Sequence, residues 1–330
     1  GSRYCLRYQG GAMKKTMLIC GADGFIGKSA LDRFNGQYDI TATTFNCHPP
    51  KRGTVEGVEY VSVDLRDESE VISLFERKRF DVVLQAAATT TGAKDVVERP
   101  YVHVTDNTVM NAWIFREAMK TKVGHLLFPS CTVMYQPKEV PQSETGWSPL
   151  DEIYSAYFGV GNMKVFCEKM CDFYSRIGDT KFTAFRHSNV YGPYDKFDLD
   201  KCHVVPAFVN KVINAQDTLE IWGRGQASRD IIYIDDLIDF IEKCIDHQEG
   251  KYELYNCGAG EAYPILDLAK TIMKLNDKDL EFKFDLTKPD IPTTVILDCT
   301  KAKEQLGWSP QVDVTEGLRR TSEWYINNVQ

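Results

Sequence analysis

Three glycines near the start of the chain have the spacing of a phosphate-binding turn. Gly21, Gly24 and Gly27 follow a short apolar run at 17–20, and a helical pattern covers 28–34. Glycines let a pyrophosphate approach the backbone closely, and the helix that follows turns its positive end toward the phosphates. The pattern predicts a dinucleotide-binding turn, and a glycine-rich turn without a ligand is the alternative. The residues assigned to this turn are Gly21, Asp23, Gly24, Phe25, Ile26 and Gly27.

The end of the second predicted strand indicates which dinucleotide fits. An acid at this point binds the ribose 2′-hydroxyl of NAD. Counting from the glycines places Phe45 there, with Asn46 beside it and the cations Lys51 and Arg52 beyond. Because the sequence shows no carboxylate at this point to repel a 2′-phosphate, it favours NADP, with NAD possible and Asn46 as a contact. The two cations could equally belong to a solvated loop.

Strand and helix patterns alternate at about 30 residues per unit through the first half of the chain. This alternation is typical of a parallel sheet with crossover helices. The predicted strands are 40–45, 58–63, 81–88, 125–129 and 182–185. The predicted helices are 28–34, 68–78, 106–120, 161–177, 235–247, 266–275 and 315–329.

The regular alternation weakens after Asn189, without a low-complexity linker. The sequence therefore predicts an α/β fold, a doubly wound parallel sheet of the Rossmann type with a smaller interleaved substrate-binding lobe. The dinucleotide-binding domain is assigned to 13–186 and 230–257, and the lobe to 187–229 and 258–330. Residues 1–12 are interpreted as a cloning remnant that precedes a natural start at Met13.

Composition excludes several classes of function. The 330 residues are 43% hydrophobic and 26% charged, which is typical of a globular protein with a sizeable core. A net charge of −8 argues against a nucleic-acid partner. No run of ~18 apolar residues predicts a membrane span, and no leader pattern predicts secretion. We therefore expect a cytoplasmic protein with no membrane partner.

The ten cysteines do not suggest a disulfide framework or a metal site. They are scattered singly, without a CxxC pair or a Cys/His ligand spacing. Cys167 and Cys171 are one helical turn apart, but no second ligand pair is near them in the sequence. The pattern predicts buried, reduced thiols and no metal.

Later motifs resemble the extended short-chain dehydrogenases/reductases, also called the NAD-dependent epimerase/dehydratase family, that act on nucleotide sugars. The resemblance lies in the Asp64-Leu65-Arg66-Asp67 turn, in the strand 81–88, and in the strand segment 128–135. It implies a set of cofactor contacts beyond the glycine turn. They are Asp64, Leu65, Ala86, Ala87, Ala88, Asn107, Ser130, Lys164 and His187.

The second half of the chain resembles the GDP-L-fucose synthase branch of this family. The matching segments are 189–193, 203–207, 222–225 with 229–230, 288–290, Asp298 and 306–310. In this branch such segments form the lobe that binds the sugar nucleotide, and the planar fork of Arg229 suits a diphosphate. Taken singly, each residue could be a surface ion pair or a core aromatic. The implied substrate contacts are Thr132, Asn189, His203, Lys211, Trp222 and Arg229.

The chain departs from the family at the catalytic tyrosine. The family uses a tyrosine to move a proton and a lysine four residues later to lower the pKa of that tyrosine. Lys164 matches the lysine, which puts Val160 at the tyrosine position. Tyr157 lies seven residues before Lys164, about 10 Å away along a continuous helix. Gly159 and Gly161 predict a helix break that could bring Tyr157 to the cofactor, and an ordinary core aromatic is the alternative.

Two other positions depart from the pattern. Cys131 replaces the hydroxyl residue that holds the substrate oxygen, and a thiol donates a weaker hydrogen bond. Ser130 or Thr132 could take over this role. His203 matches the histidine of the acid/base pair that epimerises the substrate in GDP-L-fucose synthases, but Val133 replaces its cysteine partner. Double epimerisation is therefore in doubt.

The sequence thus predicts an NADP-dependent reductase and/or epimerase of a nucleotide-linked 4-keto-6-deoxy sugar, with GDP as the carrier. The catalytic residues are Cys131, Tyr157, Lys164 and His203. The alternatives are a redox-neutral nucleotide-sugar epimerase that retains NAD(P), and a catalytically impaired cofactor-binding protein.

A homodimer is also expected from the resemblance. In the family, the helices that correspond to 106–120 and 161–177 pair into a four-helix bundle. The second helix carries Val165, Phe166, Met170 and Phe173, which are apolar enough to bury in such a bundle. They could equally be covered by the sheet of their own chain.

Overall fold

The computed structural model describes residues 13–90, 99–199, 201–288 and 294–330. The supposed cloning remnant at 1–12, and Pro289 and Asp290 of the motif at 288–290, lie outside the described residues.

Seven parallel strands form the central sheet, and they confirm the predicted doubly wound fold. The strands are β1 (Thr16–Cys20), β2 (Asp39–Thr44), β3 (Glu59–Ser62), β4 (Val82–Gln85), β5 (His125–Pro129), β6 (Lys181–His187) and β11 (Tyr252–Cys257). Their spatial order is β11-β6-β5-β4-β1-β2-β3. The order reverses between β1 and β4, and ligands of such sheets bind at the carboxyl ends of the strands beside this point.

Helices cover both faces of the sheet. One face packs against α1 (Phe25–Phe34) and α6 (Ile234–His247). The other packs against α2 (Glu68–Glu76), α3 (Pro100–Lys120) and α4 (Phe158–Ile177). Because apolar side chains from both layers of helices reach the sheet, β4 and β5 are buried along their whole length. The helix predicted at 106–120 begins earlier, at Pro100.

The chain leaves the central sheet after β6 and builds a smaller part from short elements. Its strands are β7 (Asn189–Tyr191), β8 (Thr218–Trp222), β9 (Ser228–Arg229), β10 (Ile231–Tyr233), β12 (Tyr263–Pro264) and β13 (Glu281–Asp285). Its helices are α5 (Val204–Asn214), α7 (Ile265–Leu275), α8 (Thr300–Leu306) and α9 (Val314–Asn328).

These strands form three two-stranded sheets, β7 with β10, β8 with β13 and β9 with β12. Between them the chain returns to the central sheet as β11, so the two parts are interleaved. One apolar core runs through both parts without interruption, and the exact domain boundaries stay a prediction. Among the helices of the described ranges, none is long and apolar enough to cross a membrane.

Candidate functional site

The glycine turn brings together the ends of three strands. Gly21 has a φ of +77°, and a Cβ built on it would lie 2.6 Å from the Cα of Ala87, after β4. A Cβ on Gly27 would lie 2.1 Å from the carbonyl oxygen of Gly21. The backbone N–H of Gly21 also donates to Thr43 Oγ1 of β2, at 3.0 Å. Only glycine permits the backbone to come this close at positions 21 and 27. The close contacts hold the turn directly before the N-terminus of α1, in the conformation that lets a pyrophosphate approach the backbone.

Residues Ala86, Ala87 and Ala88 follow β4 and form the second wall of the predicted cofactor site. Gln85, at the end of β4, is buried and donates to Ala87 O at 3.1 Å. Asn107 accepts from the Thr89 N–H at 2.9 Å and donates to Thr89 O at 3.0 Å. The Asn107 amide therefore holds the segment after β4 in place, and its direct contact with a cofactor stays a prediction.

The residues predicted for the adenosine end lie after β2 and β3. Asp64 and Arg66 form a pair with two hydrogen bonds, 2.9 and 2.8 Å long, and these bonds keep the pKa of Asp64 below its usual value. Leu65 between them is buried. The Arg66 guanidinium lies 5.1 Å from the ring centroid of Phe45, which is 49% exposed. Asn46 next to it adopts a left-handed backbone with a φ of 49°.

The premise that no carboxylate lies near the end of β2 is wrong. Asp23 of the glycine turn accepts a hydrogen bond from Cys47 Sγ at 3.0 Å. Its two oxygens also accept from the backbone N–H groups of Lys51 and Arg52, at 3.3 and 3.4 Å. Counting along the chain considered only the residues that follow β2, so it could not find an acid that reaches this place from β1.

Lys164 and Ser130 lie where α4 crosses the end of β5. The Lys164 ammonium donates to Pro129 O at 2.9 Å and lies 4.8 Å from the Phe128 ring centroid. Ser130 is buried, and its hydroxyl donates to Glu168 Oε1 at 2.6 Å. Because the Ser130 hydroxyl already donates its proton to Glu168, it is poorly suited to hold the substrate oxygen in place of the hydroxyl that Cys131 lacks.

Cys131 and Thr132, the next residues, are half-buried and continue from the end of β5. Burial raises the pKa of the Cys131 thiol, and the positive charge of Lys164 opposes the rise. The thiol is therefore protonated at neutral pH and can donate a hydrogen bond, although a weak one. Thr132 remains the neighbouring hydroxyl that is able to hold a substrate oxygen.

A buried ion pair behind Ser130 is a feature that the motif comparison missed. Glu168 accepts from Arg186 Nε and Nη2 of β6, at 2.9 and 2.7 Å. Arg186 Nη1 in turn donates to the Tyr135 hydroxyl at 3.0 Å, and this hydroxyl donates to Asn256 Oδ1 at 2.7 Å. The signal available in the sequence was Arg186 itself, a charged residue directly after the buried, mostly apolar run 182–185.

The predicted helix break near Tyr157 is wrong. Gly159 and Gly161 lie inside the continuous helix α4, and Tyr157 ends a 3₁₀ turn just before it. The glycines serve close packing instead, since a Cβ on Gly159 would lie 2.9 Å from Val104 Cγ2 and one on Gly161 would lie 3.1 Å from Ile153. Tyr157 therefore stays about two helical turns before Lys164 along the chain.

Tyr157 is half-buried and packs against the small apolar cluster around Tyr135 and Ile153. Burial raises the pKa of Tyr157, and the positive charge of Arg229 opposes the rise. Cys131 also interacts electrostatically with Tyr157. Tyr157 is thus coupled both to the end of β5 and to a cation of the smaller lobe.

Two predicted site histidines, His187 and His203, interact with each other electrostatically, and His187 also interacts with Lys164. His187 ends β6, and its Nδ1 lies 2.8 Å from Ser188 O. Burial, with smaller contributions from Lys164 and His203, lowers the pKa of His187 to about 4. His203 precedes α5 and lines a pocket, and desolvation together with the charge of Lys196 lowers its pKa. Both rings are neutral at neutral pH, so His203 can accept a proton.

This pocket has a volume of about 200 Å³ and lies in the smaller lobe. Four of the six predicted substrate contacts line it, namely His203, Lys211, Trp222 and Arg229. Lys211 donates to Glu220 O at 3.2 Å, and its ammonium lies 5.3 Å from the Trp222 ring centroid. The remaining two, Thr132 and Asn189, do not line this pocket, and Asn189 donates to Asp230 O at 3.1 Å.

In the described part of the chain, no group of three or more His, Cys, Asp or Glu side chains is arranged to hold a metal ion. The cysteines described there are free thiols.

The comparisons with known proteins agree with the glycine turn and the sheet. The pattern of the NAD dependent epimerase/dehydratase family matches residues 17–258. GDP-L-colitose synthase of Yersinia pseudotuberculosis is 27% identical over 94% of this chain and 98% of its own. GDP-L-fucose synthase of Escherichia coli K12 is 28% identical, and the match covers 96% of this chain and 98% of that protein. A crystal structure of UDP-glucose 4-epimerase with UDP-glucose from Thermotoga maritima has a TM-score of 0.83 at 25% identity, and covers 96% of this chain and 100% of that one.

The fold and the glycine turn define a dinucleotide-dependent α/β enzyme. More particularly, the chain belongs to the NAD dependent epimerase/dehydratase family. The predicted family and the prediction of an NAD(P)-dependent enzyme are both confirmed.

Proposed function

We propose that this protein is an NAD(P)-dependent reductase of a nucleotide-linked 4-keto-6-deoxy sugar, with GDP as the carrier. The pocket in the smaller lobe is the observation that supports this most. It combines a neutral histidine, two cations and an exposed aromatic ring, the groups expected around a sugar diphosphate. The choice of GDP follows the relatives named as GDP-L-fucose and GDP-L-colitose synthases.

Two cations of the pocket are suited to the diphosphate. The planar guanidinium of Arg229 can donate to two phosphate oxygens at once, and it already donates to Ser228 O at 2.9 Å. Lys211 is a compact charge held beside Glu220, at 3.3 Å from Oε1. Trp222 is 38% exposed, so its ring can act as a stacking wall for a base or sugar.

The catalytic region supplies protons and charge. A bound dinucleotide would supply the hydride for a ring carbonyl. Burial keeps Tyr157 protonated at neutral pH, so it can donate the proton that the reduced oxygen requires. Lys164 adds positive charge beside the same region and is assigned to the nicotinamide ribose. Cys131 and Thr132 are assigned to the substrate oxygen.

His203 is assigned to proton removal at the carbon beside the ketone. Its lowered pKa leaves the ring neutral and able to accept a proton at neutral pH. Val133 has no group that could return a proton on the opposite face. The residues therefore favour reduction, with at most one inversion, over double epimerisation.

The test is the stoichiometry of the reaction. The full chain is incubated with reduced dinucleotide and a GDP-linked or UDP-linked 4-keto-6-deoxyhexose. We expect one dinucleotide to be oxidised for each GDP-sugar reduced. Inversion without net oxidation would instead show a redox-neutral epimerase, and turnover only with the UDP-sugar would overturn the choice of GDP. Binding of dinucleotide without any turnover would favour a catalytically impaired protein.

A pair of matched variants distinguishes a direct contact of Arg229 with the sugar nucleotide from a general effect of changing an arginine. Arg229→Lys keeps the charge but loses the planar fork, so we expect the KM for the sugar nucleotide to rise about tenfold. Arg319→Lys makes the same change in an exposed ion pair with Glu316 on α9, away from the pocket lining, and should leave KM unchanged. Equal effects of the two changes would contradict the assignment of Arg229.

A further inference from the structure

We propose that Asp23 makes the adenosine end of the site select NAD(H) over NADP(H). The inference rests on the proposed function, since it requires that a dinucleotide binds along the glycine turn. It concerns a residue that the sequence assigned only to the turn itself, and it reverses the preference that the sequence favoured.

The Asp23 carboxylate accepts hydrogen bonds from the first part of the β2–β3 connection, as a bound anion would. It accepts from Cys47 Sγ at 3.0 Å, from the Lys51 N–H at 3.3 Å and from the Arg52 N–H at 3.4 Å. Cys47 is the third residue after β2 ends at Thr44. In this fold class the acid that binds the ribose 2′-hydroxyl stands at the end of β2. Asp23 therefore brings a carboxylate to the ribose-binding position from a different strand.

A 2′-phosphate at this position would meet two obstacles. Backbone N–H groups in a loop can bind a phosphate, and those of Lys51 and Arg52 already donate to Asp23. The phosphate would also bring its own negative charge next to the Asp23 carboxylate, which is unfavourable. A 2′-hydroxyl is neutral and can donate a hydrogen bond to the same carboxylate.

Of the two cations predicted to attract a 2′-phosphate, Lys51 is exposed and Arg52 packs against another segment of the chain. The Arg52 guanidinium is partly buried and lies 5.3 Å from the Tyr194 ring centroid. Lys28 of α1 lies over the same ring, at 5.0 Å. Arg52 thus packs against the segment after β7, whereas its backbone N–H supports Asp23. To reach a 2′-phosphate the side chain would have to leave this packing.

Equilibrium binding of NAD⁺ and NADP⁺ to the full chain tests the proposal, with titration calorimetry as the readout. The unmodified protein should bind NAD⁺ at least tenfold more tightly than NADP⁺. Asp23→Asn removes the charge and should reduce this ratio at least tenfold. Glu56→Gln removes a charge from an exposed position of the same β2–β3 connection and should leave the ratio unchanged.

Asp23→Ser is a second variant, in case the Asn amide disturbs the turn. The Ser hydroxyl carries no charge but can still accept a hydrogen bond from the backbone N–H groups of the loop. Added salt provides a measurement without any substitution, because screening weakens like-charge repulsion and should lower the preference for NAD⁺ in the unmodified protein. Equal or tighter binding of NADP⁺, or an unchanged ratio in both Asp23 variants, would overturn the inference alone. If neither dinucleotide binds, the proposed function fails and the inference fails with it.

Discussion

The Glu168 carboxylate of α4 and the Arg186 guanidinium of β6 form a bidentate ion pair, with each side chain 4% exposed. Glu168 also accepts from Ser130, and Arg186 donates to Tyr135. The pair therefore ties α4 to the ends of β5 and β6, one helical turn after Lys164. It defines where Lys164 can lie relative to the strand that carries Cys131.

Removing one partner of this pair should destabilise the fold strongly. Glu168→Ala leaves the Arg186 charge buried without its counter-ion, and such a loss costs about 3–5 kcal/mol. Urea unfolding measures the change in the free energy of unfolding. Asp172→Ala breaks the solvent-exposed pair with Arg176 on the same helix and should cost far less. Similar costs for the two variants would contradict the importance of the buried pair.

Lys164 should contribute to dinucleotide binding as well as to turnover. Lys164→Ala removes an ammonium group held by Pro129 O, and we expect the dissociation constant of the dinucleotide to rise about tenfold. Fluorescence titration measures this constant. Lys169→Ala removes the same charge from an exposed position of α4 and serves as the control. Unchanged dinucleotide binding in Lys164→Ala would remove this role from Lys164.

Tyr157 should be the proton donor in reduction. Tyr157→Phe keeps the ring in its apolar cluster but removes the hydroxyl, so turnover should fall about 10²–10⁴-fold with little change in unfolding free energy. Steady-state kinetics with the GDP-sugar measures the effect, and Tyr154→Phe on the same turn is the matched control. A normal rate in Tyr157→Phe would make Tyr154 or water the donor.

His125 should make stability depend on pH. Burial, together with the positive charge of Lys181, lowers the pKa of His125 from 6.5 to about 3 in the folded chain. Between these values the unfolded chain takes up a proton and the folded chain does not. The contribution of His125 to the free energy of unfolding is therefore fully present above pH 6.5. As the pH is lowered from 6.5 towards 3, this contribution is lost at up to roughly 1.4 kcal/mol per pH unit.

Urea unfolding at several pH values gives the slope of stability against pH. His125→Gln should reduce this slope between pH 6.5 and 3, whereas His247→Gln, at an exposed histidine, should not. The slopes are compared rather than the absolute stabilities, because His125 lies 2.7 Å from Thr183 Oγ1 and its loss changes packing as well. Equal slopes for both variants would contradict the role of His125.

The apolar stripe of α4 should form the contact between two copies of the chain. Phe166, Phe173 and Ile177 are 44%, 46% and 55% exposed, and with Met170 they lie at i, i+4, i+7 and i+11 on one side of the helix. Val165 packs inward against the cluster around Tyr135 instead. Met170 packs partly against the core of its own chain, whereas Phe166, Phe173 and Ile177 are left exposed around it.

Phe166→Glu should convert a homodimer into a monomer, as measured by sedimentation at micromolar concentration. Phe284→Glu changes an aromatic side chain of the same exposure, 44%, in the smaller lobe and should leave the dimer intact. A monomer already present in the unmodified protein would contradict the homodimer.

The sequence by itself determined the sheet, the order of its helices and the glycine turn. These features depend on short-range patterns, namely apolar periodicity, and glycines at positions such as Gly21 that admit no other residue. The resemblance to the GDP-L-fucose synthase branch, carried by short motifs, pointed to His203, Lys211, Trp222 and Arg229, which line one pocket. A motif retains its order along the chain, so its residues could be recognised before their contacts were known.

Only the tertiary structure decided which groups face one another. Asp23 and Cys47 are 24 positions apart, yet they meet because β1 and β2 are adjacent in the sheet. Ser130 was found to be poorly suited as the substrate hydroxyl only once its hydrogen bond to Glu168 was known. The packing of Gly159 and Gly161 against neighbouring side chains kept α4 continuous where their helix propensity predicted a break. Such contacts depend on strand order and on the space between packed elements, and neither is encoded in the spacing of residues along the chain.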